Sequence, residues 1–152
     1  MLRTNRFHAA CVLALSAALV VLPGCGGSSA TDTYKNDAKK AGQAFKDSAQ
    51  AASAKIKAAP DRAGKIAGLD GLKASVNKAA DDFSKLKPPS KVQADNDALV
   101  SELRALAGDV DAVQQALRTG NATAAAAAVP KLQGDETKIT VTIASIEQKV
   151  GK

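Results

Sequence analysis

The chain has 152 residues, a formal net charge of +6, 45% hydrophobic but only 3% aromatic residues, two cysteines and one histidine, which is material for one modest domain. Beyond residue 24 there is no Trp, His or Met, one tyrosine (Tyr34) and one cysteine (Cys25), because His8 and Cys11 both fall in the first 24 residues. Histidine-based catalysis, Cys/His metal sites and an internal disulfide framework are excluded from that part of the chain.

Residues 1–8 carry Arg3 and Arg6 and no acid, and Ala9–Leu22 are uncharged and mostly apolar. A membrane-spanning helix needs about 20 apolar residues, so this run is short for a span and fits the hydrophobic region of a secretory signal. A buried core helix is disfavoured, because the run is apolar on all sides and meets Pro23, Gly24 and a Gly/Ser segment at once. The residues Leu22-Pro23-Gly24-Cys25 resemble the lipobox of bacterial lipoprotein precursors. The resemblance implies cleavage before Cys25, a thioether from Cys25 to diacylglycerol, and acylation of the freed amine. One acyl chain anchors a protein marginally and two or three hold it firmly. The expected location is therefore the bacterial cell envelope, on the outer side of the cytoplasmic membrane or in an outer membrane if the cell has one. Residues 1–24 are the expected signal peptide, 25–31 the lipidated cysteine with its tether, and 32–152 the folded domain.

Gly26–Thr31 is a flexible Gly/Ser-rich tether. Four stretches with helical periodicity follow. In the first, Tyr34, Ala38, Ala41, Phe45, Ala52, Ile56 and Ala59 recur at steps of three, four and seven, a narrow stripe dominated by alanine. Pro60 ends it. Asp61 to Gly71, with Gly64, Gly68 and Gly71, forms a loose turn or a short helix, and its glycines do not match a phosphate-binding GxGxxG. Asp70 is the expected cap of the second helix, whose stripe is Leu72, Val76, Ala79, Phe83 and Leu86, and Pro88-Pro89 stops it. Ser90 is the expected cap of the third helix, whose stripe runs Val92, Leu99, Leu103, Leu106, Val110, Val113 and Leu117, with Asn96 filling its gap and Gly120 at the C′ position. Asn121 caps the last stretch, in which Ala122, Ala125, Val129, Leu132, Ile139, Ile143, Ile146 and Val150 hold the same register, interrupted by Glu136. Pro130 should kink or split that helix near Ala126. Thr140–Ile143 is β-branched, but a lone strand has no partner and the helical stripe runs through it. Short connections make successive helices antiparallel neighbours, so the expected fold is all-α, an antiparallel up-down helical bundle of about four helices. The segment around Leu86-Lys87-Pro88-Pro89 and the heptads after it is similar to small alanine-rich helical lipoproteins of uncharacterised function, a resemblance that implies no activity.

The 12 Asp and 3 Glu are the only plausible acid–base groups after residue 24. Asp81-Asp82 are adjacent on a helix and diverge, as do the pairs Asp95/Asp97 and Asp109/Asp111, and none forms an EF-hand loop. No catalytic residue, metal ligand or cofactor site is expected, and the protein is read as a non-enzyme. Asn96 and Glu136 on the core stripe either pair across the bundle to fix register or line a ligand site. Charge is uneven: residues 32–91 hold 13 basic and 7 acidic groups, residues 92–152 hold 6 and 8. Lys35, Lys39, Lys40 and Lys46 are placed by the short tether near lipid headgroups, where basic residues favour an anionic surface. Nucleic acid is disfavoured as a partner by the exported location and the lack of stacking aromatics. The expected partners are membrane lipid through acylated Cys25 and another envelope protein. The expected role is a binding or structural module of the envelope; the alternative is a carrier or sensor holding a small apolar ligand between helices.

Overall fold

The structure, a computed structural model, describes residues 29–151. Four long helices make up nearly all of it: α1 (Ala30–Ala58), α2 (Arg62–Ser84), α3 (Gln93–Arg118) and α4 (Ala122–Val150), with one 3-10 turn at Ser90–Val92 leading into α3. The described residues contain no strand. The fold is an antiparallel up-down helical bundle.

Local chemistry sets most helix ends. Ser29 caps α1, its Oγ accepting from the Asp32 amide at 3.2 Å. Ala59, held extended ahead of Pro60, ends it. The C-terminus of α3 closes as a Schellman motif: the Asn121 amide donates to Ala116 O at 2.8 Å and the Gly120 amide to Leu117 O at 3.1 Å. That geometry needs Gly120 at φ 70°, where a side chain would be strained. Asn121 then caps α4, Oδ1 accepting from the Ala124 amide at 2.9 Å.

Three expectations are corrected. Asp70 is not a cap but lies mid-helix, because α2 starts at Arg62 with Asp61 as its cap, accepting from the Gly64 amide at 2.8 Å. The glycines that suggested a turn serve packing instead. A Cβ on Gly68 would sit 2.5 Å from Ile56 Cγ1 and 3.0 Å from its backbone nitrogen, so the missing side chain lets α1 and α2 approach. Ser90 makes no capping bond; it opens the 3-10 turn that buries Val92 before α3 begins at Gln93. Of the kink or split expected at Pro130, the split does not occur: α4 runs unbroken through it. Ala128 and Leu132, buried on either side, hold the turn in place despite the lost backbone bond.

Each helix packs on its neighbour in the chain, α1 on α2, α2 on α3 and α3 on α4, and among the described residues no contact of similar extent joins α1 to α4. α2 and α3 are therefore the inner helices, each packed on two others. Leu99, Leu103 and Val110 of α3, with Val76 of α2, Val92 and Ile139 of α4, are the largest fully buried side chains. One apolar cluster extends from these into all four helices.

Candidate functional site

The antiparallel order puts the start of α1, the α2–α3 connection and the end of α4 at one end of the bundle. That end is tied by polar groups. Asn96, expected as a break in the α3 stripe, is buried: its Oδ1 accepts from the Tyr34 hydroxyl at 3.1 Å and its Nδ2 donates to Phe83 O at 3.2 Å. One amide thus joins α1, α2 and α3. Beside it Asp95 accepts from Lys149 Nζ at 2.7 Å and from Ser145 Oγ at 3.3 Å, adding α4. Burial, and then the Asp95 charge, push the Tyr34 hydroxyl up to about 12.

Glu136 does not meet Asn96. Asp95 is level with Ser145 and Lys149, so Glu136 lies about nine residues, or roughly 14 Å, further along α4. It is half-buried on the flank of that helix, and burial raises its carboxyl above the usual range. The acid on the core face is Asp135, which holds Lys138 at 2.9 Å. This hydrogen bond and the Asp135 charge, joined more weakly by Glu102 and Asp109, raise Lys138 against the opposing effect of desolvation. Glu102 itself accepts from Thr142 Oγ1 at 3.0 Å, while its buried Oε2 has no partner among the described residues.

The α2–α3 seam carries a second polar contact that stripe reading passes over. Gln114 is buried, its Nε2 donating to Ile66 O at 3.2 Å and to Asp70 Oδ1 in a shorter bond. Asp70 also lies 3.6 Å from Arg118, and Lys73 reaches Asp111 at 2.5 Å. Gln114 stands next to Val113 in the stripe, and that adjacency is the only hint the sequence offers.

Cys25 lies outside the described residues. Of the four lysines expected near the headgroups, Lys39 and Lys40 are exposed and Lys35 and Lys46 half-buried. At 100° per residue Lys35, Lys39 and Lys46 share one flank of α1, and Lys40 lies round on another, 3.8 Å from Asp37. There it borders an open depression of about 360 Å³ lined by Asp37, Ala41, Ala44, Asp82, Lys85 and Leu86. The four do not form one face.

The basic excess of residues 32–91 is also divided by the fold. α1 has 29 residues and spans about 43 Å, so Lys55, Lys57, Arg62 and Lys65, around the α1–α2 turn, stand at the opposite end from Lys35 and Lys39. Among the described residues no group of three or more His, Cys, Asp or Glu side chains is placed to hold a metal ion, and no helix is long and apolar enough to cross a membrane. In comparisons with known proteins, no family model, no curated protein and no solved structure matches this chain.

Proposed function

We propose that this chain is a lipid-anchored protein of the bacterial envelope that serves, without catalysis, as a binding or structural module. The observation that carries the reading is the run Leu22-Pro23-Gly24-Cys25 directly after an uncharged apolar segment. Ser29, which caps α1, is four residues from Cys25, at most about 14 Å of extended chain. An acylated Cys25 would hold the Tyr34–Asn96 end of the bundle close to the bilayer. The module role is favoured over the carrier because the depression between α1 and α2, lined by two alanines, Leu86 and four charged side chains, is open to solvent and so a poor container for an apolar ligand.

The test is intact mass and detergent partitioning of the full chain expressed in bacteria. Wild type is expected to lack residues 1–24, carry acyl mass on Cys25 and enter the detergent phase. Cys25→Ala is expected to leave the precursor uncleaved at that site. An unmodified Cys25, with partitioning that does not depend on it, overturns the reading.

A further inference from the structure

The end of the bundle remote from residue 29 carries a cluster of positive charge gathered from three helices. Lys55 and Lys57 close α1, Arg62 and Lys65 open α2, and Arg118 closes α3; all five are exposed. Arg62 leans toward the second corner, since a Cβ on Gly120 would lie 3.2 Å from its Nη1. The acids there are Asp61, which caps α2, and Asp70, which is shared by Gln114 and Arg118. Lys55, Lys57, Arg62 and Lys65 have no ion-pair partner among the described residues.

Folding accounts for part of this cluster only. Cations in the last turns of α1 and α3 complement the negative ends of those helices. Arg62 and Lys65 do the reverse: they stand in the opening turns of α2, where the helix end is already positive and the Asp61 cap is the one acid beside them. An anion laid across the tip would relieve both the helix end and the crowded cations.

We infer that this tip binds a linear, phosphate-bearing polyanion. Among the described residues this tip exposes no large apolar side chain. Val141, the one well-exposed large apolar side chain among the described residues, lies far along α4. Such a surface recognises charge density rather than shape, and a polymer engages several cations at once where a single small anion would not. Guanidinium forks from Arg62 and Arg118 suit phosphate oxygens, with the lysines as added point charges. That the tip faces away from the bilayer rests on the lipid-anchor reading. The binding itself does not, so the mass of Cys25 tests one and polyanion titration the other.

The experiment titrates the full chain in nonionic detergent with linear polyphosphate, polyglutamate and micelles of the same detergent doped with an anionic lipid. Polyphosphate is expected to bind best, losing about a hundredfold in affinity between 50 and 200 mM salt, as four or five released counterions require. Lys55→Gln/Lys57→Gln/Arg62→Gln/Lys65→Gln is expected to weaken binding at least tenfold and flatten the salt dependence. Lys35→Gln/Lys39→Gln/Lys87→Gln/Lys91→Gln, with the same charge removed elsewhere, is expected to bind as wild type does. Equal loss in both variants reduces the effect to net charge and overturns the inference. Preference for polyglutamate or for the anionic micelles overturns the assignment to a phosphate polymer. Should the quadruple variant lose its helical circular dichroism, the single changes Arg62→Gln and Lys65→Gln decide: each is expected to weaken polyphosphate binding severalfold, and no change in either overturns the inference.

Discussion

The two hairpins of this bundle are built on different principles. α3 and α4 bury the large side chains Leu99, Leu103, Leu106, Val110, Leu132, Ile139 and Ile146. α1 offers Ala41, Ala49 and Ala52 with Phe45 and Tyr34, and reaches α2 where Gly68 has no side chain to hold it off. The α3–α4 hairpin gains stability from apolar area removed from water; the α1–α2 hairpin gains it from close backbone approach, with small side chains that bury little each. Close approach fixes geometry tightly but leaves α1 with less to lose. Removing a large side chain should therefore hurt α3 most, whereas adding one should hurt the α1–α2 contact.

The largest effect is expected in α3. Leu103→Ala removes a side chain 1% exposed at the centre of the bundle and should cost about 2–5 kcal/mol in urea unfolding followed by circular dichroism. Ala52→Gly, at a core position of α1, should cost only about 1 kcal/mol, the helix-propensity difference. Comparable losses at the two sites would erase the distinction between the hairpins.

Next comes the insertion of volume. Gly68→Val places atoms on Ile56, including its backbone, and should cost about 1–3 kcal/mol by pushing the helices apart. Because α1 packs chiefly on α2, amide hydrogen exchange should rise in α1 before it rises in α3. Uniform loss of protection would mean that α1 is not the separable element.

Helix ends were legible in the sequence wherever one residue's own chemistry decides them, as at Pro60, Gly120 and Asn121; α2 instead ends at Ser84, leaving Leu86 of its expected stripe outside the helix and ahead of Pro88-Pro89. The first turns of α2 were not. Gly64, Gly68 and Gly71 have the composition of a turn, and their use as a contact surface depends on Ile56 and Ala52 arriving from α1. Likewise Asn96 was legible as a polar break in a stripe, but its partner was not. Whether it meets Glu136 or Tyr34 depends on the heights at which helices align, which periodicity within one helix does not carry. The basic tip was hidden for the same reason: residues 55–65 and Arg118 are distant in sequence and adjacent only once α1 and α3 end at the same level. Charge by segment suggested a basic half beside the membrane, and topology places much of that charge at the far end.

The smallest effect sharpens the comparison at the point where α1 touches α3. Tyr34 and Asn96 supply the one hydrogen bond between these two helices among those in the described residues, so Tyr34→Phe keeps the ring and removes only that bond. The expected cost near neutral pH is about 1 kcal/mol, the usual net value of such a bond. The pH dependence is more diagnostic than the magnitude. Tyr34 ionises at about 12 in the folded protein and at about 10 in the unfolded chain. Between those values the unfolded state has released a proton that the folded state retains, so stability falls as pH rises from 10 to 12. Below 10 both states are protonated and this contribution is fully present. Urea midpoints measured from pH 8 to 11.5 should decline more steeply above 10 for wild type than for Tyr34→Phe, with lysine deprotonation common to both. Parallel curves would mean that the hydroxyl reaches solvent and that the Asn96 contact does not hold α1 to the rest of the bundle.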